Sequence, residues 1–135
     1  MKENGAGDDY GCERCWPHEA AAAWEARQGL AMVAELVDES HYHVMILSCP
    51  RCRQNFLSVF TEMVDWAGGE DPMYWTVVPV DAGEVAALTD STRVPRESDL
   101  EAMALDRRSL LRDFARDASK PTVCWGVGLR IGPHD

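Results

Sequence analysis

Long apolar runs are missing from this sequence of 135 residues. No stretch approaches the ~20 consecutive apolar residues that a membrane-spanning helix needs, so we expect no transmembrane segment. The first residues also lack the apolar segment of a secretory signal, and we therefore expect a cytoplasmic protein. In that compartment paired cysteines hold metal or do redox chemistry more often than they form structural disulfides.

Positive charge is scarce as well. The 13 Lys and Arg residues stand against 23 Asp and Glu residues, which gives a net charge of −10, and residues 59–90 contain no basic side chain. A nucleic-acid-binding protein presents a basic face to phosphates, so this balance argues against a nucleic-acid partner. Lysine is nearly absent beside arginine, which together with abundant Ala and Gly indicates a GC-rich bacterial genome.

The length and the hydrophobic fraction of 46% are those of one globular domain. Residues 1–11 are rich in glycine and acidic side chains, and we expect them to form a disordered tail. We expect a single folded domain over residues 12–135.

Two Cys-x-x-Cys pairs are the most informative motif of the chain: Cys12 with Cys15, and Cys49 with Cys52. Each pair presents two thiolates from one tight turn, and two such turns complete a tetrahedral sulfur site for zinc. The 33 residues between the pairs exceed the usual spacing of a tandem zinc motif. A loop of that length still closes at modest cost, because closure entropy grows only logarithmically with length. We therefore predict a structural Zn²⁺ held by all four cysteines.

Histidine is the other residue type that could join this site. His18 lies three residues after Cys15, and His41 and His43 precede Cys49. We interpret the three as surface or partly buried imidazoles, because four cysteines already complete the coordination of zinc. A catalytic zinc keeps an open position for water, so we expect no catalytic residue here.

The periodicity of the chain predicts an α+β fold, in which an antiparallel β-meander of about three to four strands has flanking helices. Helical spacing of apolar residues runs from about 18 to 38, and again from 98 to about 117. The expected strands are 41–48, 56–66, 73–80 and 122–131. The segment 56–66 also fits one face of a helix, and this alternative stays open.

Two further patterns bear on the helices. Asp81-x-x-Glu84 and Ser98-x-x-Glu101 have the form of capping boxes, the first opening a short helix. In the second predicted helix, Arg108, Arg112 and Arg116 recur every four residues, which we interpret as a solvated, salt-paired face.

The second cysteine pair also permits a redox interpretation. A predicted strand that leads into Cys49-Pro50-Arg51-Cys52 resembles the approach to the active site of thioredoxin-like and glutaredoxin-like proteins. In that case residues 56–66 would form the helix after the motif, and Cys49 would be the reactive thiol. A first strand ahead of the 18–38 helix is missing from this pattern.

The four cysteines and their turns resemble those of the zinc-ribbon and zinc-knuckle group. That group includes nucleic-acid binders, enzyme subunits and adaptors, so the resemblance implies a metal but no activity. The longer stretch from Cys49 to Trp75 is also similar to small bacterial proteins of unknown function.

We therefore expect a small zinc-binding protein that acts as a non-enzymatic interaction or regulatory module. Its partner would be a protein, bound by an aromatic and acidic surface. The aromatic group comprises Trp66, Tyr74, Trp75 and Trp125; packing in the core is its ordinary role, and an exposed patch would instead indicate the binding surface. The alternative is a thioredoxin-like thiol–disulfide oxidoreductase that uses Cys49 and Cys52.

Overall fold

In the part of the chain that the structure describes, the fold is a six-stranded antiparallel sheet with three short helices. It is described from a computed structural model, over residues 10–63, 71–90, 94–104, 106–115 and 119–132. The elements in chain order are α1 (Ala20–Arg27), β1 (Ala31–Glu39), β2 (Tyr42–Ser48), β3 (Asn55–Glu62), β4 (Met73–Val80), α2 (Ala82–Thr89), α3 (Glu97–Glu101), β5 (Arg108–Phe114) and β6 (Thr122–Val127).

The strands follow one another across the sheet in the order β1-β2-β3-β4-β5-β6. The predicted α+β fold with three to four strands and flanking helices is therefore wrong, because the protein is mostly β. Strands β2, β3 and β4 confirm the predicted strands 41–48, 56–66 and 73–80. Residues 64–66 of the predicted strand 56–66 lie outside the described part of the chain. The last strand ends at Val127, before Gly128 adopts a φ of 78°.

The predicted helix over 18–38 is wrong beyond its first half. Helix α1 ends at Arg27, and Gly29 and Leu30 lead directly into β1. Strand β1 pairs with β2 from Ala31 to Glu39, with register shifts that mark β-bulges on either side of Ala34 and Glu35. The hydrogen bonds to β2 satisfy a backbone that intrinsic propensity alone leaves undecided between helix and strand.

The predicted helix over 98–117 is wrong as well. Helix α3 covers only Glu97–Glu101. Its N-cap is Arg96, which makes no side-chain capping bond, and Ser98 lies inside the helix. The second capping box is therefore absent. Strand β5 follows and pairs with both β4 and β6. The first capping box is confirmed, because Asp81 accepts a hydrogen bond from the Glu84 amide and the Glu84 carboxylate accepts one from the Asp81 amide.

Each face of the sheet packs a separate apolar cluster. The first face is covered by α2, α3 and the segment after β6. Its buried residues are Val37, Tyr42, Val44, Ile46, Leu57, Val59, Val78, Val80, Leu88, Leu100, Ala104 and Leu129. The second face is covered by α1 and by residues 10–19, which we call the N-terminal arm. Its buried residues are Cys15, Trp16, Ala23, Cys49, Phe56, Val77 and Leu110. The cysteine pairs thus lie at one end of the second face.

Candidate metal centre

The first cysteine pair is shaped by a tight turn in the N-terminal arm. The Trp16 amide donates to the Cys12 carbonyl at 2.8 Å, and the Cys12 amide donates to the Cys15 Sγ at 3.2 Å. Gly11 precedes this turn with a φ of 74°, in the left-handed region that favours glycine. A Cβ at position 11 would lie 2.7 Å from the Trp16 Cβ, so no larger residue fits without a shift.

The second pair forms the tip of the β2–β3 hairpin. Ser48 and Asn55 are the last paired residues, and the chain between them turns through Cys49 and Cys52. The Arg53 amide donates to the Cys49 carbonyl at 2.8 Å, and Arg53 itself has a φ of 70°. This turn places both sulfurs on the side that faces the N-terminal arm.

The four sulfurs are brought together in one cluster. The Sγ–Sγ distances are 3.7 Å from Cys12 to Cys15, 3.9 Å from Cys12 to Cys49 and 3.7 Å from Cys15 to Cys52. All four Sγ atoms lie within 4.8 Å of one another. A zinc tetrahedron with bonds of about 2.3 Å has edges of about 3.8 Å, so the cluster fits such an ion. A disulfide needs about 2.0 Å between sulfurs, so the same distances place the cysteines outside bonding range.

The protonation of these thiols is unequal. At Cys12 burial opposes the thiolate, but the backbone amides of Cys15 and Arg14 donate to it, and its pKa falls to about 7. Burial raises the pKa of Cys15 and also that of Cys52. The cluster therefore needs a cation before all its thiols become thiolates, and binding of a metal ion releases protons.

The cluster joins segments that other contacts also hold together. Gln54 accepts a hydrogen bond from the Gly11 amide and donates to the carbonyls of Asn55 and Val80, which links the arm to β3 and β4. Trp16 of the arm is buried against Phe56 and Trp125, with ring centroids 5.0 and 4.9 Å away. The metal centre is thus continuous with the apolar core of the second face.

No histidine belongs to the cluster in the part of the chain that the structure describes. His41 Nδ1 lies 3.1 Å from a carboxylate oxygen of Glu62. His43 Nδ1 lies 3.3 Å from a carboxylate oxygen of Asp38, and with Glu35 these two form a second, exposed group that the sequence did not reveal. The His18 carbonyl accepts a hydrogen bond from the Trp125 indole.

A groove of about 460 Å³ adjoins the cysteine cluster, between the end of α1 and the two turns. Ala26, Leu30 and Pro50 give it an apolar floor, and Arg14 and Arg51 flank it. Both arginines are exposed. They place positive charge beside a centre that carries a charge of −2 when four thiolates bind a divalent ion.

The thioredoxin-like interpretation required a helix directly after the second cysteine pair. The structure has β3 there, in a sheet whose neighbouring strands are all antiparallel. The geometry therefore does not assemble the redox site that the motif suggested.

Of the aromatic group, Tyr74, Trp75 and Trp125 are half-buried rather than part of an exposed surface, and Trp66 lies outside the described residues. Trp75 and Trp125 are half-buried on the second face, where they stack with arginines. The Arg108 guanidinium lies 3.8 Å from the Trp125 ring centroid, and that of Arg112 lies 4.8 Å from the Trp75 centroid. Both arginines belong to a strand, so the predicted helical stripe is wrong for them, and Arg116 lies outside the described residues.

Comparisons with known proteins identify no family for this chain. No protein-family model matches the chain, and no curated protein or solved structure is significantly similar to it. The four-cysteine cluster is compatible with a zinc-knuckle-like site, and it is the part of the resemblance that the structure supports. Within the residues described, no helix is long and apolar enough to cross a membrane.

Proposed function

We propose that this protein is a zinc-binding interaction module whose metal centre is structural. The observation that carries the proposal is the cluster of four sulfurs with edges of 3.7 to 3.9 Å. Four protein ligands fill a zinc tetrahedron and leave no position for water or substrate, which is the arrangement of structural rather than catalytic zinc. The ion joins the N-terminal arm to the β2–β3 hairpin.

Metal analysis tests the first half of this proposal. A tetrahedron of thiolates also suits iron, so the ion itself has to be identified. We expect protein purified without added metal to contain one equivalent of zinc per chain, and Cys49→Ser to lose most of it. The control is Cys124→Ser, since Cys124 is exposed on β6 and lies outside the cluster. Iron in place of zinc, or equal metal content in both variants, would contradict the proposal.

The second half of the proposal is a protein partner in the cytoplasm. The groove beside the metal centre supports it, because an apolar floor between Arg14 and Arg51 suits a peptide with both apolar and acidic side chains. The two arginines balance the charge of −2 on the metal centre, so the groove lacks the excess of negative charge that the rest of the chain carries.

A selection from a random peptide library on the zinc-loaded protein tests this role. We expect enriched peptides to combine carboxylates with an apolar side chain, and to lose binding to Arg14→Glu and Arg51→Glu. Arg96→Glu is the matched control, because Arg96 is exposed at the start of α3 on the other side of the sheet. An interaction role for the groove would be refuted if no peptide is enriched, or if none of the three substitutions changes the affinity of the enriched peptides.

A further inference from the structure

Two arginines stack on the same tryptophan of the second face, away from the metal centre. Arg27 lies in the last turn of α1, and Arg112 lies on β5. Their guanidinium carbons are 5.2 and 4.8 Å from the ring centroid of Trp24. Trp75 packs edge-on against Trp24 at 5.4 Å and also lies under Arg112. The four side chains thus form one half-buried cluster, which we call the Arg–Trp cluster.

Within the described part of the chain, the two positive charges of this cluster have no negative partner. Neither Arg27 nor Arg112 forms an ion pair with a carboxylate among the described residues, whereas Arg107 pairs with Glu84 and Arg130 with Asp113. The chain has 23 acidic residues, so the imbalance is local and does not reflect a shortage of carboxylates.

The acidic side chains that β1 and β3 place on the same face do not neutralise the pair, because Glu62 on β3 pairs with His41 and Asp38 lies four strands away from Arg112. One row of paired residues crosses the sheet on this face and consists of Asp38, His43, Phe60, Trp75, Arg112 and Val123. With strands about 4.8 Å apart, Asp38 lies roughly 19 Å from Arg112. Asp38 also already pairs with His43.

The hydrogen-bond donors of Arg27 are only partly used. One terminal nitrogen donates to the Ser58 hydroxyl at 2.9 Å, and the Nε atom is buried without an acceptor. Burial, and after it the charge of Arg112, lower the pKa of the Arg27 guanidinium below its ordinary value. Stacking on an indole gives each cation a modest stabilisation, but it does not remove the repulsion between two like charges.

We propose that the Arg–Trp cluster is a binding site for a phosphate group, held between the guanidinium groups of Arg27 and Arg112. Guanidinium forks match the oxygens of phosphate and can bind them bidentately. A phosphate dianion carries two negative charges and so balances both cations, which a single carboxylate does not. The Ser58 hydroxyl, already bonded to Arg27, lies beside the same site. This inference does not depend on the zinc centre or on the peptide groove.

Calorimetric titration of the zinc-loaded protein with inorganic phosphate, at constant ionic strength, tests the proposal. We expect one phosphate per chain. Arg27→Gln and Arg112→Gln should each weaken binding by about tenfold or more, because each removes charge-assisted hydrogen bonds to the anion. Arg112→Lys should bind with intermediate affinity, because it keeps the charge but loses the fork. Arg96→Gln removes the same charge from the other side of the sheet and should bind like wild type.

Folding and anion type need their own controls. Circular dichroism checks the fold of each variant. Arg112→Gln serves if Arg27→Gln does not fold, since the Nε atom of Arg27 is buried. Titration with phenyl phosphate asks whether an esterified phosphate also binds, and titration with acetate checks that a monocarboxylate binds more weakly. Absence of phosphate binding, acetate binding as tight as phosphate, or equal affinity in wild type and Arg112→Gln would overturn the proposal.

Discussion

Removal of the metal should release the N-terminal arm and leave the sheet folded. Ordering the ten residues of the arm costs about 10 kcal/mol, at roughly 1 kcal/mol for each backbone. Burial of Trp16, which is 6% exposed, contributes about 3 kcal/mol, and the hydrogen bonds from Gly11 to Gln54 and from Trp125 to His18 add about 1 kcal/mol each. These contacts do not hold the arm by themselves. Zinc binding of ~10–16 kcal/mol exceeds the part of the ordering cost that the contacts of the arm leave uncompensated.

The sheet does not share this dependence. Its first face buries an apolar cluster that includes no cysteine, and β3 and β4 each have neighbouring strands on both sides. After zinc is removed with a chelator under reducing conditions, hydrogen exchange should become fast in residues 10–19 and stay slow in β3 and β4. The Cys52→Ser variant should give the same pattern without chelator, whereas Cys124→Ser should resemble the wild type. Equal protection of the arm with and without metal would refute this reasoning, as would loss of protection throughout the sheet.

Three further substitutions test separate parts of the structure. Leu57→Ala removes a fully buried side chain of the first face and should lower the free energy of unfolding by about 2–5 kcal/mol in urea denaturation; a loss under 1 kcal/mol would contradict the packing described. Asp81→Ala removes the N-cap of α2 and should lower the free energy of unfolding by about 1 kcal/mol in the same measurement. An unchanged denaturation midpoint would contradict a stabilising role for the capping box. Gly11→Ala forces a Cβ toward Trp16 at a positive φ, so zinc affinity should fall about tenfold in chelator competition; wild-type affinity would show that the turn tolerates it.

The sequence predicts those features of the molecule that depend on local chemistry. The turns at Cys12–Cys15 and Cys49–Cys52 follow from two ligands three residues apart, and the structure brings all four sulfurs together. The capping box at Asp81 is equally local. Strands β2, β3 and β4 are rich in β-branched and aromatic residues, which favour a half-buried pleated surface.

The helix predicted over 98–117 is wrong for a reason that lies in the spacing of its residues. On β1 the register shifts leave Val37 buried and Val33 exposed, so the apolar spacing there marks no single face. On β5, Arg108 and Arg112 are four residues apart. A spacing of four keeps two side chains on one face of a helix, and because four is even it also keeps them on one face of a regular strand. The pattern therefore leaves helix and strand equally possible, and pairing with distant strands decides between them.

The Arg–Trp cluster could not be predicted from the sequence, because it depends on contacts between distant segments. Arg27 and Arg112 are 85 residues apart in the chain. They meet because α1 packs over the second face of the sheet, across β5 and β6. Since we predicted Arg112 on a solvated helix, its position gave no signal of a shared site.

The coordination of the native metal tests the central claim most directly. X-ray absorption at the zinc edge, on protein purified without added metal, should show one shell of four sulfurs at about 2.3 Å. A shell with nitrogen or oxygen ligands would contradict the four-sulfur centre, as would protein that contains no zinc and has its cysteines joined in disulfides.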